Sequence, residues 1–134
     1  RIERPVSLQD IYPTLADLCS LSILENEQID GRSLLPLLSD KDIMWQQGTL
    51  TTFGPGNHAV RTERWRYIQY SDGGRELYDR NDDPYEEVNL SGREEFNKVI
   101  ADLQSLLPDS EVKPVPGKKD YLFDPQTYQW NTIN

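Results

Sequence analysis

Apolar side chains recur at helical spacing from the first residues of the chain. Leu8, Ile11, Tyr12, Leu15 and Leu18 fall on one face of a helix. Ser7 and Asp10, three positions apart, make a capping pair. Pro13 would break a helix interior, because it removes a hydrogen bond and clashes with the preceding turn. The spacing therefore predicts a helix over about residues 10–20, with Pro13 in its first turn. Residues 20–33 read as loop with a turn at Asp30-Gly31, and 33–38 as a short buried helical turn.

The period then changes. Residues 48–53 are rich in β-formers, Gly54-Pro55-Gly56-Asn57 breaks them, and 58–62 read as a second strand. Residues 65–70 alternate, Asp72-Gly73-Gly74 is a hairpin signal, and 75–79 return. Short connections between up to four strands imply an antiparallel sheet. Asp82-Asp83-Pro84 is a turn. Ser91 and Glu94 then read as a capping box for a helix over about 92–107. Its stripe is Phe96, Val99, Ile100, Leu103, Leu106 and Leu107, and Pro108 stops it. Residues 108–134 show no periodicity and read as an extended tail. Tyr121, Phe123, Tyr128 and Trp130 make that tail too apolar to be solvated, so it is expected to drape over a surface. The fold class is α+β: an antiparallel sheet of about four strands packed with a C-terminal helix.

Composition sharpens this picture. The chain has 134 residues, of which 36% are hydrophobic. Soluble domains average roughly 45–50% on a comparable count. The length suffices for a core, but the residues to fill one are scarce, so either much of the chain is irregular surface or it borrows the core of something larger. The formal charge of −9 argues against nucleic acid and anionic membrane as partners. No apolar run is long enough to span a bilayer, and the first residues lack the apolar stretch of a signal peptide. One cysteine allows neither an internal disulfide nor a multi-cysteine zinc site.

Few residues carry chemistry. Cys19 has no nearby histidine and reads as a small buried hydrophobe. Residues 79–84 faintly suggest a calcium loop, but Pro84 and Leu90 stand where that loop needs glycine and glutamate; they read as a solvated acidic turn. No phosphate-binding loop or nucleophile elbow is present. Arg61, Arg64 and Arg66 cluster with Trp65 and Tyr67. Strand alternation puts Arg64 and Arg66 on one face and both aromatics on the other. His58 stands at the mouth of the Gly54–Asn57 loop, where functional side chains are often displayed. The candidate substrate-binding residues are Asn57, His58 and Arg61. No residue is assigned a catalytic role, and none is assigned as a metal ligand.

Four stretches in order carry a resemblance. They are Val6-Ser7-Leu8-Gln9-Asp10-Ile11-Tyr12-Pro13-Thr14-Leu15-Ala16-Asp17-Leu18, Asp30-Gly31-Arg32-Ser33-Leu34-Leu35-Pro36-Leu37-Leu38, His58-Ala59-Val60-Arg61-Thr62-Glu63-Arg64-Trp65-Arg66-Tyr67-Ile68, and Glu76-Leu77-Tyr78-Asp79 with Asp83-Pro84-Tyr85-Glu86-Glu87-Val88-Asn89-Leu90. The series resembles the C-terminal part of type I sulfatases of the alkaline phosphatase superfamily, in particular the bacterial iduronate sulfatase-like branch, over residues 6–107. The resemblance implies that residues 1–46 end a large α/β catalytic domain, whose last helix is the first one here. Residues 47–107 would be a small C-terminal subdomain and 108–134 a tail outside the resemblance.

The family's chemistry rests on a formylglycine made from Cys in a Cys-x-Pro-Ser-Arg motif, and on a calcium ion. Cys19 is followed by Ser20-Leu21-Ser22-Ile23, without the proline and arginine, so it is not that residue. The resemblance therefore implies a fragment, or one half of a cleaved enzyme, with calcium and formylglycine upstream. Its partners would be the upstream catalytic domain and a sulfated small molecule or saccharide, and its setting periplasmic or secreted. In this reading Asn57 and His58 hydrogen-bond the substrate and Arg61 pairs with a substrate carboxylate. Two alternatives stand beside it: a segment of a phosphonate or phosphodiester hydrolase of the same superfamily, and a free-standing module that presents Arg61, Arg64 and Tyr67 to an anion.

Overall fold

Alternation in the middle of the chain builds a four-stranded antiparallel meander. In the computed structural model, which describes residues 2–23, 29–45, 47–112 and 120–133, the strands are β1 (Thr49–Thr52), β2 (His58–Arg61), β3 (Trp65–Gln69) and β4 (Arg75–Asp79), paired in that order. The register places Leu50 opposite Val60, Val60 opposite Tyr67, and Tyr67 opposite Leu77. These side chains share one face of the sheet.

That face is closed by a helix, α3 (Asn97–Gln104), entered through a 3-10 turn at Glu94–Phe96. Ile100 and Leu103 of α3 bury against Val60, Tyr67 and Leu77. Trp65, Leu90, Phe96, Val99 and Leu107 pack around them, with Trp65 edge-on to Phe96 at 5.7 Å between ring centres. The buried Tyr67 hydroxyl donates to Gln69 Oε1 at 3.1 Å and accepts from Gln104 Nε2 at 3.1 Å. A phenol at the centre of the core is thus left with no unmatched polar group.

The regular helix is shorter than the stripe predicts. The expected capping box at Ser91 does not form, because Ser91 Oγ donates instead to the carbonyl of Arg75 at 2.8 Å. The same segment guards the outer edge of β4. Asn89 Oδ1 accepts from Leu77 N at 3.1 Å and Ser91 N at 2.9 Å, and Leu90 N donates to the Leu77 carbonyl at 2.8 Å. An edge strand with its groups covered in this way does not offer itself for further pairing.

The β1–β2 and β3–β4 loops, at the same end of the sheet, lean on each other. Gly56, with φ +73°, lies so close to Ser71 that an added Cβ would stand 3.0 Å from the Ser71 Cβ and 3.1 Å from its Cα. Asn57 Oδ1 accepts from Ser71 N at 3.2 Å across the same gap. The glycine is required twice over, by its left-handed backbone and by this approach.

The N-terminal half forms a small unit beside the sheet. A 3-10 turn (Leu8–Asp10) leads into α1 (Ile11–Leu18), and α2 (Leu35–Ser39) packs on it. The Ser7–Asp10 capping box forms. The chain buries Pro13, Thr14 and Ala16 of α1 and Asp10 just before it: Asp10 Oδ1 accepts from Arg32 N at 2.9 Å, and Thr14 Oγ1 accepts from Leu34 N at 2.9 Å. Of the short turn around α2, Leu37 is buried and Leu38 is exposed. Cys19, expected to be buried, is exposed at the end of α1.

The tail differs from its expectation. It is not merely extended: β5 (Asp120–Asp124) and β6 (Gln129–Ile133) pair as an antiparallel hairpin. Asp124 closes the turn, accepting from Gln126 N at 2.8 Å and from Thr127 Oγ1 at 2.8 Å. Phe123 faces Trp130 across the strands, at 5.1 Å between ring centres. Residues 113–119 lie outside the described residues.

Two outcomes follow for stability. Leu77→Ala opens a cavity at the centre of the sheet–helix core and costs about 2–5 kcal/mol; Leu50→Ala, at the partly exposed edge, costs a small fraction of that. Urea midpoints measure both, and equal shifts would contradict this placement of the core. The second outcome concerns acid. Asp79 is held below its ordinary value of 3.8, first by its hydrogen bonds from Arg64, with the backbone of Asn81 and Asp82 adding to the effect and burial opposing it. A carboxylate depressed by folding stabilises above its unfolded value and loses that contribution as pH falls through the folded one. Asp79→Asn therefore destabilises at about pH 7 and loses much of that effect at about pH 3. A deficit equal at both would rule the linkage out.

Candidate functional site

The three candidate residues do not converge. In β2, His58 and Val60 point to the helix-covered face, while Ala59 and Arg61 point to the other. His58 is only 3% exposed. Its Nδ1 lies 2.9 Å from Thr52 Oγ1, and its Nε2 lies 2.6 Å from Glu111 Oε1. A carboxylate only accepts, so Nε2 donates to Glu111, and Nδ1 shares a hydrogen bond with the threonine hydroxyl. Both ring nitrogens are therefore taken by the protein, and the expected substrate contact is replaced by a clamp.

Glu111 completes that clamp. Its second oxygen accepts from Gly56 N at 3.0 Å. The His58 hydrogen bond, and then the Gly56 one, hold its carboxyl below the usual range. The chain beyond α3 is thereby pinned to the Gly54–Asn57 loop. Asn57 serves the same loop, with Nδ2 donating to the Pro55 carbonyl at 3.2 Å and Oδ1 accepting from Ser71.

The arginines also part company. Arg64 sits in the bend before β3, where its guanidinium lies 4.7 Å from the centre of the Trp65 ring. It grips Asp79 with Nε at 3.1 and 3.0 Å and Nη2 at 2.6 Å. It therefore does not share a face with Arg66, because the strand alternation begins only at Trp65. Arg66 lies on the helix-free face, directly opposite Arg61.

On that face a polar arrangement emerges that the sequence did not disclose. Arg66 Nη1 donates to Glu86 Oε2 at 2.7 Å, and Arg80 Nη1 donates to Glu86 Oε1 at 2.5 Å. Glu86 holds a left-handed φ of 60°, an uncommon setting for a residue with a Cβ, and it is kept there between two guanidiniums. Next to it, Glu76 accepts from Tyr70 at 3.1 Å and Tyr78 at 2.8 Å. These contacts push the Tyr78 hydroxyl up to about 12, first through the hydrogen bond to Glu76.

Arg61, Arg80, Arg4 and Glu63 line one cleft of about 570 Å³ between residues 2–6 and the sheet. Arg4 pairs with Glu63. Arg61 is exposed, with no carboxylate partner among the described residues. Arg4, Arg80, Glu86 and Glu111 were not singled out from the sequence. Each is an ordinary surface charge there, and only the fold makes it a neighbour. The available signal was the Asp83-Pro84 turn, which carries Glu86 back over the sheet.

Among the described residues, no three His, Cys, Asp or Glu side chains meet as a metal site. The acidic turn at 79–84 is occupied internally: Asp79 by Arg64, and Asp83 by the backbone of Val88 at 2.9 Å. These residues do not fit the calcium ion that the resemblance implies. No described helix is long and apolar enough to cross a membrane.

The family described as N-sulphoglucosamine sulphohydrolase, C-terminal, matches residues 2–113. A protein named sulfatase from Formosa agariphila is 33% identical over 132 residues, covering 98% of this chain and 25% of that protein. A Delta 4,5-hexuronate-2-O-sulfatase from Bacteroides thetaiotaomicron is 32% identical over 122 residues, covering 84% of this chain and 24% of that protein. The solved phosphonate monoester hydrolase of Agrobacterium radiobacter superposes with a TM-score of 0.61 at 25% identity, over 78% of this chain and 25% of that one. The chain thus spans about a quarter of the length of these relatives. The family match over both halves of the fold, from the capped first helix to the end of α3, shows that the chain belongs to the N-sulphoglucosamine sulphohydrolase C-terminal family of sulfatase segments.

Proposed function

We propose that this chain closes an enzyme that hydrolyses sulfate esters of sulfated saccharides. It does so by seating on an upstream catalytic domain and shaping the rim of the substrate pocket. The observation that carries this reading is the apolar stripe that the first helix leaves uncovered. Leu8, Ile11, Tyr12, Leu15 and Leu18 are 85%, 50%, 54%, 53% and 53% exposed, whereas Asp10 just before α1 and Pro13, Thr14 and Ala16 within it are buried. A helix that keeps a continuous apolar stripe at the surface is one face of a larger core.

In this reading residues 1–46 belong with the catalytic domain, and 47–107 form the subdomain that leans on it. Sulfatase relatives span four times the length of this chain, which leaves ample sequence to supply that domain. The nucleophile, and calcium with its ligands, are then upstream. What the segment itself contributes is placement. The sheet–helix core holds the Gly54–Asn57 loop and the helix-free face of the sheet as rigid surfaces beside the pocket. A phosphonate hydrolase shares the fold, so the fold alone does not separate the two chemistries. The family match and the sulfatase relatives favour sulfate esters.

In the full-length enzyme, Leu15→Asp together with Leu18→Asp places charges in the proposed interface. The expected result is a strong loss of soluble enzyme and of thermal stability, whereas Lys98→Asp on the exposed side of α3 has little effect. The segment produced by itself is expected to hydrolyse no 4-methylumbelliferyl sulfate. Metal-dependent turnover by the segment alone, or an unaltered Leu15 and Leu18 double variant, would refute the reading.

A further inference from the structure

We propose that Arg61, with Arg80 and Arg4 beside it, forms a subsite for an anionic group on the saccharide: a carboxylate or a second sulfate apart from the ester being cleaved. This deepens the sulfatase reading and rests on it. Arg61 is the guanidinium beside the cleft that the fold leaves without a carboxylate partner among the described residues. Arg61 and Arg66 stand directly opposite each other on β2 and β3, an arrangement that like charges disfavour. Nearby carboxylates relieve this only in part. Glu86 is shared between Arg66 and Arg80, Glu63 is taken by Arg4, and Glu3 also lines the cleft. Arg66, Arg80 and Arg4 each have a carboxylate partner, and Arg61 has none among the described residues.

This guanidinium, without a carboxylate partner among the described residues, stands in a chain whose formal charge is −9. Its setting is concave. The cleft of about 570 Å³ falls in the range of small-ligand sites, and one sugar residue fits such a volume. Three guanidiniums, those of Arg4, Arg61 and Arg80, line it beside Glu3 and Glu63. The Arg61 guanidinium presents a planar fork that meets a carboxylate or sulfate with two parallel hydrogen bonds. Arg80 is held in place through Glu86, and Arg4 through Glu63, so two flanking cations are ordered before a ligand arrives. Positioned donors of this kind lose little freedom on binding.

The test uses the full-length enzyme and three substrates: a 2-O-sulfated unsaturated hexuronate disaccharide, its carboxyl-reduced counterpart, and 4-methylumbelliferyl sulfate. A further disaccharide with a second sulfate separates the two anion sources. Arg61→Gln is expected to raise KM at least about tenfold for the saccharide carrying the recognised anion, with kcat within about twofold. Hydrolysis of the aryl sulfate stays unchanged. Arg61→Lys, which keeps the charge but loses the fork, falls between, and Lys98→Gln matches wild type throughout. Loss confined to uronate substrates assigns the carboxylate, and loss that follows the extra sulfate assigns that group.

Calorimetric binding of the desulfated uronate and of the doubly sulfated disaccharide provides a readout independent of turnover, and Arg61→Gln should weaken it for the recognised anion. Unaltered KM and binding for every saccharide overturn the subsite. So does a parallel loss on the aryl sulfate with a lowered Tm, which would make Arg61 a partner of the catalytic domain instead. A wild-type enzyme that cleaves phosphonate esters and no sulfate ester overturns the sulfatase reading itself, and is distinct from either result.

Discussion

Closure of α3 over one face of the meander is the interaction on which the rest of this structure depends. Val60, Tyr67 and Leu77 are fully buried only because Ile100 and Leu103 lie on them. Antiparallel sheets of this size need one covered face to be stable. With that face closed, its rim is fixed: Trp65 against Phe96, Gln104 against Tyr67, and Glu111 against His58. The loop at 54–57 is held by that last contact, and the opposite face of the sheet is left for something else.

Most of the motif residues that carry the family resemblance act within this frame. Leu77 fills the core, Asp79 anchors Arg64, Asp83 closes the turn that returns Glu86, and Asn89 seals the edge of β4. Each of these side chains has a structural task within the fold. On the helix-free face Arg66 and Arg80 share Glu86, and Arg61 stands opposite Arg66 without a carboxylate partner among the described residues. One face of the sheet thus holds the fold, and the other carries most of its paired charges.

The thin apolar composition has its counterpart in α1. The stripe at Leu8, Ile11, Leu15 and Leu18 is real as periodicity, yet it is turned away from the chain's own core. The buried hydrogen bonds of Asp10 and Thr14 to the backbone at Arg32 and Leu34 make that orientation stable. An amphipathic pattern predicts that a helix has an apolar side; it does not say which body that side will meet. Here the chain covers the Pro13, Thr14 and Ala16 side, so the stripe is available to a larger neighbour.

By itself, the sequence determined the element order, the antiparallel meander, the α3 stripe and the capped start of α1. These features rest on local periodicity and turn chemistry, which act over a few residues. It overstated the helix at 92–107, because Ser91 was free on paper to cap it and is engaged by the Arg75 carbonyl in space. It missed the β5–β6 hairpin, whose turn is closed by an aspartate side chain instead of the glycine that marks hairpins in sequence. The candidate site was the least legible part. Asn57, His58 and Arg61 are neighbours in the chain, but a strand sends successive side chains to opposite faces. Only the packing of α3 decided which face would be buried. That choice put His58 beside Glu111, 53 residues away, and left Arg61 facing the cleft with Arg80 and Arg4. Charge neighbours are set by long-range contacts, and these are decided when the sheet closes.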